Sequence, residues 1–226
     1  PRCQLLMILQ QKVRISTSNM TPGLTVSADQ CTPDDMIAFL ADLPLISRPI
    51  IAKWFRQNPE TETKSDLSPV TIADRSVETA LRVAIKQRFS ADTISGEEFG
   101  LVDRIETTDE TTSSYRWIID PIDGTKAFIS GKPAFGTLVG LLHNDLPVAG
   151  LVDLPVFDEC YIGLNGFGGT ITAQLNGALI VPNGQTKLAN ARLATTSPRA
   201  LSPARLADFD RLADQVAITN YGGDCH

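Results

Sequence analysis

The hydrophobic pattern of this 226-residue chain changes period near residue 115, and that change restricts the folds open to it. Apolar residues recur at helical spacing over 33–57, where Pro44 and Pro49 predict an interrupted or kinked helix, and again over 72–88. The polar stretch 101–115 predicts a mobile surface loop. A short strand precedes that loop, and an antiparallel meander follows it; the predicted strands are 93–95, 116–120, 135–142, 147–154, 159–163 and 170–175.

The same pattern predicts the domain organisation. Residues 1–32 are expected to be an unstructured or non-native N-terminal extension, and 33–183 an N-terminal α+β domain with the antiparallel sheet and the functional site. Residues 184–226 predict the start of an α/β domain. Its expected elements are a strand, a helix and a strand at 192–195, 203–215 and 216–219.

Charge and composition exclude several functions. The chain has a net charge of −6, and the residues before Asp29 are basic, so the remainder is more acidic still. Such a body is a poor nucleic-acid binder and is compatible with bound divalent cations. No apolar run reaches the roughly 20 residues that span a bilayer. With two histidines and four widely spaced cysteines, a zinc site or a Ser-His-Asp triad is not expected, and the thiols indicate a reducing compartment.

The basic, acid-free stretch 1–19 allows two interpretations. It is either an organelle transit peptide or sequence translated ahead of a start at Met20. The absence of a sustained amphipathic pattern favours the second, and a cytoplasmic location is therefore expected.

The stretch 117–125 carries the clearest chemical signal. An apolar strand leads into Asp120 and Asp123, which we expect on a tight turn where Pro121 fixes one φ and Gly124 relieves the next. Two carboxylates held that close repel each other unless a proton or a cation lies between them. Hard oxygen ligands on a rigid turn suit Mg²⁺. An ordinary Asx-turn is the alternative interpretation.

Two further acidic groups lie at the ends of predicted elements. Asp74 opens the second helix, where it could simply favour the helix N-terminus electrostatically. Glu97 and Glu98 follow a strand and could form a solvated turn. Their occurrence together with Asp120 at strand and helix ends favours one shared site.

These motifs, in this order, resemble the inositol monophosphatase family of magnesium-dependent, lithium-sensitive phosphatases. The resemblance extends over roughly residues 33–226 and implies an α+β / α/β fold of the layered α-β-α-β-α sandwich type. It rests on Lys64, on 68–71 leading to Asp74, and on 96–98, 117–125, 166–170 and 176–177.

The resemblance implies a role for each matching residue. One Mg²⁺ would be held by Glu97, Asp120 and the backbone carbonyl of Ile122, and Asp120 would bridge to a second Mg²⁺ that Asp123 also binds. The catalytic group would be Glu97 with Asp74 and Thr125, the latter two orienting the attacking water. The substrate-binding residues would be Lys64, Gly124, Thr125, Gly223 and Asp224, and two or three Mg²⁺ ions would occupy the site.

The residues after Thr125 look like the histidinol-phosphate phosphatase branch of the family. The similar stretches are 126–131, 135–138, 150–155 and 221–225. Asp224 in the last of them suits an ammonium-bearing substrate such as L-histidinol phosphate. Inositol-1-phosphatase and 3′(2′),5′-bisphosphate nucleotidase are the enzymatic alternatives, and a non-catalytic metal- or phosphate-binding fragment is the alternative of another class.

One departure from the family is expected to matter. The family supplies a further metal-binding aspartate from a Trp-Asp segment well after the Gly-Asp loop, and no such segment occurs here. We therefore expect a C-terminally truncated chain that, on its own, binds Mg²⁺ weakly, folds poorly or is inactive. The expected partner is a small phosphate monoester, with neither nucleic acid nor membrane, and a homodimer is possible.

Overall fold

The computed structural model describes residues 27–57, 61–63, 69–101 and 113–222, and its largest feature is an eight-stranded mixed sheet. Lys64, residues 102–112 of the predicted loop 101–115, Gly223 and Asp224 lie outside the described residues. The strands are β1 (Thr61–Thr63), β2 (Pro69–Thr71), β3 (Thr93–Gly96), β4 (Gly100–Leu101), β5 (Tyr115–Asp123), β6 (Gly136–His143), β7 (Leu146–Leu154), β8 (Glu159–Phe167), β9 (Thr170–Leu175), β10 (Ala178–Leu179), β11 (Arg192–Thr195) and β12 (Ile218–Tyr221).

The order of strands in the large sheet is β10-β9-β8-β7-β6-β5-β3-β4. The strands β5 to β9 form the antiparallel meander that the sequence predicts. Only the β3–β5 pair within this sheet is parallel, among the described residues. Because β3 and β5 run in the same direction, the residues that follow them lie at the same edge of the sheet.

The first helix, α1 (Pro33–Trp54), is one continuous element within the predicted helical stretch 33–57. Thr32 caps it by accepting a hydrogen bond from the Asp35 amide at 3.2 Å. Of the two effects expected of Pro44 and Pro49, an interruption is wrong, since both prolines lie inside the helix, and a kink stays a prediction. Each proline removes one backbone donor, and the continuous apolar face that α1 buries outweighs that loss.

The second helix, α2 (Ile72–Arg88), has the bounds that the periodicity predicts. It packs with α1 over the sheet, and their shared core is aromatic: Phe39, Phe89 and Trp117 have ring centroids 5.0 to 5.6 Å apart. Among the described residues, no helix has both the length and the apolar character needed to cross a membrane.

The chain joins the fold earlier than the expected boundary at residue 33. Ser27 and Ser113 both donate hydrogen bonds of 2.7 Å to one oxygen of the buried Asp92, and the Trp117 indole N–H donates to the other at 3.0 Å. Ala28 is fully buried. Residues 27–32 are therefore part of the packed structure, because Asp92 needs several donors to remain buried.

The last described segment forms the predicted strand–helix–strand unit. The parallel pair β11–β12 is connected through α4 (Pro203–Ala213). None of residues 184–222 is buried. The division into two domains near residue 183 stays a prediction.

Candidate active site

Two acidic residues lie at the edge of the sheet where β3 and β5 end. Gly96 of β3 pairs with Ile119 of β5, and the Glu97 amide donates to the Ile119 carbonyl at 3.1 Å. Glu97 therefore follows its strand next to Asp120. Asp74 lies in the first turn of α2, with 3% of its surface exposed.

Asp120 is the electrostatic centre of this group. The pKa of its carboxyl is raised to about 8, first by burial and then by the negative charges of Glu97 and Asp123, with a hydrogen bond to Glu97 and the charge of Asp74 adding to the shift. Its Oδ1 atom is buried and has no hydrogen-bond partner among the described residues. The structure thus brings four of the predicted carboxylates into one electrostatic environment.

The segment between Asp120 and Asp123 differs from the predicted tight turn. β5 continues through it, with an irregular register against β6, and both Pro121 and Ile122 are buried. The Thr137 hydroxyl donates to the Pro121 carbonyl at 2.8 Å. Pro121 has no N–H to donate to the ladder, and the strand tolerates it because the register shifts at this point and its carbonyl bonds a side chain instead.

A short helix, α3 (Thr125–Ile129), begins directly after these aspartates. Its N-cap is Gly124, whose φ of 89° lies in the left-handed region that favours glycine. The Thr125 hydroxyl donates to the Ile122 carbonyl at 3.1 Å. The predicted residues Ile122, Gly124 and Thr125 are thus adjacent to the carboxylates, as their sequence positions require.

The carboxylates of this group do not form a closed metal-binding shell as they stand. Within the described residues, no three His, Cys, Asp or Glu side chains form a group that could hold a metal ion as they stand. Like charges repel, so carboxylates with no cation between them do not close into a coordination shell. The buried, unpartnered Oδ1 of Asp120 among neighbouring anions is nevertheless chemically suited to a hard divalent cation such as Mg²⁺.

Two charged residues next to the site were missed by the sequence analysis. Glu78 is fully buried, accepts a hydrogen bond from Arg82 Nε at 2.7 Å, and accepts another from the Glu98 amide at 2.8 Å. The sequence did contain a signal for these two residues. Asp74, Glu78 and Arg82 follow one another at intervals of four, which places all three on one face of a helix.

The pKa of Asp120 predicts how pH affects the metal-free protein. Between the ordinary value of 3.8 and about 8, the folded state holds a proton on this carboxyl that the unfolded state does not. This contribution to stability is therefore complete below about pH 4 and is lost as the pH rises through 8. Asp120→Asn removes the effect, so in a chelator the melting temperature of the variant relative to the original protein should increase from about pH 5 to about pH 9. A constant difference would contradict the assignment.

Comparison with known proteins identifies the family. The sequence profile of the inositol monophosphatase family matches residues 33–210, and the chain belongs to this family. It is 42% identical over 177 residues to the chloroplastic bifunctional phosphatase IMPL2 of Arabidopsis thaliana. The aligned residues cover 78% of this chain and 49% of that protein. It is 38% identical over 107 residues to the histidinol-phosphatase of Mycobacterium tuberculosis, covering 47% and 38% respectively.

A solved structure supports the same conclusion for the fold. An inositol monophosphatase from Zymomonas mobilis superposes with a TM-score of 0.68 at 34% identity, covering 85% of this chain and 70% of that one. The predicted family and its layered fold are therefore confirmed. Members of the family generally depend on Mg²⁺. The chain spans about half the length of the curated relatives it matches.

Proposed function

We propose that the protein is a Mg²⁺-dependent phosphomonoesterase that hydrolyses a small phosphate monoester. The observation that carries this proposal is the buried, unpartnered Asp120 oxygen, with Glu97, Asp123 and Asp74 close enough to raise the pKa of that carboxyl. Buried carboxylates grouped in this way are typical of sites that bind cations or transfer protons. The names of the relatives, all phosphatases, support the same class of reaction.

The ligand assignment follows the family pattern. Glu97, Asp120 and the Ile122 carbonyl would hold one Mg²⁺, and Asp120 would share a second ion with Asp123, with two or three ions per site. When bound, these ions would activate water and offset the negative charge of the phosphoryl group. Asp120 suits the shared position because the charges of both Glu97, which follows β3, and Asp123, at the end of β5, act on its carboxyl.

The remaining roles belong to the residues around these ligands. Asp74 would accept a hydrogen bond from the attacking water, and Thr125 would hold that water in line with the phosphorus. The hydroxyl proton of Thr125 is directed at the Ile122 carbonyl, which leaves the oxygen lone pairs available to accept from water. The left-handed conformation of Gly124 allows the backbone amides of 124–125 to approach a phosphate closely.

The other candidate nucleophiles of the described chain do not compete with water. Burial raises the pKa of Cys31 and of Cys160 to about 11, so neither is a thiolate near neutral pH. His143 stacks on Tyr115 with ring centroids 4.4 Å apart, at the opposite end of β5 from Asp123. Direct attack by water, without a covalent intermediate, is therefore the proposed route.

L-histidinol phosphate is the proposed substrate. The stretches after Thr125 and the histidinol-phosphatase among the relatives favour it, while the inositol monophosphatase from Zymomonas mobilis keeps inositol 1-phosphate as the second candidate. The test is phosphate release by the full-length gene product from histidinol phosphate, inositol 1-phosphate and adenosine 3′,5′-bisphosphate with Mg²⁺ present. Fastest release from histidinol phosphate supports the proposed substrate. Faster release from inositol 1-phosphate would show that inositol 1-phosphate is the substrate instead. If all three stay intact, the enzyme proposal fails in favour of a metal- or phosphate-binding role.

Asp224→Ala tests the substrate assignment separately. Removing this carboxylate should raise KM for the cationic histidinol phosphate by roughly tenfold, since a charge-assisted hydrogen bond contributes on the order of 1.5–3 kcal/mol. The KM for inositol 1-phosphate, which has no ammonium group, serves as the control and should change less. An unchanged KM for histidinol phosphate would favour a sugar-phosphate substrate.

We also propose an oligomeric state and a compartment. We propose that the protein forms a homodimer, and light scattering tests this by measuring its mass in solution. For the compartment we propose the cytoplasm, and the plastid is the alternative because the Arabidopsis relative is named chloroplastic. A fluorescent fusion in the source cell distinguishes them.

A further inference from the structure

The turn that carries Glu97 is held from α2 by a buried ion pair. Arg82 Nε donates to Glu78 Oε1 at 2.7 Å, and the same guanidinium donates to the Ile94 carbonyl at 3.3 Å and the Gly100 carbonyl at 2.6 Å. Glu78 Oε2 accepts from the Glu98 amide at 2.8 Å. We call Glu78 and Arg82 the brace. It contacts the chain on both sides of Glu97.

Gly96 leaves room for the brace immediately before Glu97. A Cβ built on Gly96 would overlap Oε1 and the carboxyl carbon of Glu78 and would stand 2.7 Å from Oε2. The Glu78 carboxylate therefore occupies the space that a side chain at Gly96 would take. Both neighbours of Glu97 in the chain therefore contact Glu78: Gly96 through its backbone and Glu98 through its amide.

The brace also connects two parts of the proposed site. Asp74 and Glu78 lie one turn apart on the same face of α2, and both are buried. Arg75, on the same helix, has its Nε 3.7 Å from Glu98 Oε2. One helix therefore carries Asp74 and fixes the turn that presents Glu97, so the separation of these two carboxylates depends on the brace.

We infer that Glu78, held by Arg82, is a positioning residue that sets the orientation of Glu97 for metal binding. The inference rests on the proposed function, in which Glu97 is a Mg²⁺ ligand. A purely structural ion pair would stabilise the fold without affecting metal affinity. Hydrogen-bonding partners of metal ligands typically change affinity by 10- to 100-fold when altered, which distinguishes the two roles.

Asp153 provides a matched control for Glu78. Like Glu78 it is a fully buried carboxylate paired with an arginine on a helix, since Arg48 Nη2 donates to it at 2.8 Å. It lies on β7, separated from β3 in the sheet by β6 and β5. Glu78→Gln and Asp153→Asn therefore remove the same charge from equivalent settings, only one of which contacts the Glu97 turn.

The experiment measures Mg²⁺ binding by titration calorimetry and exchange of the Glu98 amide hydrogen by NMR. Gln has one acceptor oxygen for the two donors that Glu78 satisfies, so Glu78→Gln should expose the Glu98 amide and weaken Mg²⁺ binding by about tenfold or more. Arg82→Lys keeps the charge, loses the planar fork, and should weaken binding less. Asp153→Asn should leave both quantities within about twofold of the original protein.

Each outcome decides the inference. Weakened Mg²⁺ binding in the brace variants but not in Asp153→Asn supports it, and Arg82→Lys decides if Glu78→Gln does not fold. Unchanged Mg²⁺ affinity in the brace variants overturns the positioning role and leaves the proposed function intact. If the original protein itself binds no Mg²⁺, the proposed function fails and the inference fails with it.

Discussion

Asp120→Asn should reduce phosphate release by more than about 10²-fold, because bound metal ions contribute several kcal/mol of charge stabilisation in the transition state. Asp120 is the carboxylate on which the charges of Glu97, Asp123 and Asp74 act together, and it is the proposed ligand of both ions. An amide has nearly the same shape but carries no charge. The variant should therefore keep the fold and lose the strongest attraction for Mg²⁺.

The measurement is the initial rate at several Mg²⁺ concentrations, so that weakened binding is separated from a lower maximal rate. Asp153→Asn is the control, because it neutralises another buried carboxylate whose partner is Arg48 and not a proposed metal ligand. A melting temperature of Asp120→Asn at or above that of the original protein in a chelator at about pH 9 would exclude unfolding as the cause. Activity within tenfold of the original protein would refute the shared-ligand assignment.

The sequence predicted the elements of this fold well where the apolar period is long and regular. α2 and the meander from β5 to β9 occur as expected, because burial on one face dictates both periods. α1 was predicted with interruptions because proline is a local signal. The packing of its buried face is a tertiary effect that a local signal does not report.

For the candidate site, the sequence named residues whose roles stay predictions, and it misjudged the backbone between two of them. Motif order singled out Asp74, Glu97, Asp120 and Asp123, whose charges act on one another in the structure, and the parallel pairing of β3 with β5 explains why Glu97 and Asp120 meet. The bulge after Asp120 was not foreseen. Proline and glycine close together are typical of a turn, and only the Thr137 hydrogen bond to Pro121 shows how the strand continues.

The brace could not be predicted for a different reason. Its helical half is visible in the sequence as acidic and basic residues four apart, which usually marks an exposed face. Its other half depends on contacts with Ile94, Glu98 and Gly100, residues up to 20 positions away, and therefore on how α2 packs against β3. Because Glu78 is buried and Arg82 largely so, a charge spacing that usually marks an exposed helix face here links α2 to the turn that carries Glu97.

Gly96→Ala should lower the free energy of unfolding by at least about 3 kcal/mol, the range expected when a buried ion pair loses one partner. The new methyl group would overlap the Glu78 carboxylate, which is fully buried between Arg82 and the Glu98 amide and has no alternative space that keeps both bonds. Urea denaturation in a chelator measures this loss without contribution from metal. Gly140→Ala is the matched control, because a Cβ on this strand glycine meets no atom within 4 Å, and it should change stability by less than about 1 kcal/mol.

A double-mutant cycle with Glu78→Ala attributes the cost to the brace. Removing the Glu78 carboxylate vacates the space that the Gly96 methyl group needs, so Gly96→Ala should be nearly neutral in that background. The coupling energy should then be about 3 kcal/mol, at the upper end for residues in direct contact. Equal costs of Gly96→Ala in both backgrounds would show that residue 96 is constrained by something other than Glu78. The close approach of the two residues would then not explain why a glycine precedes the proposed metal ligand.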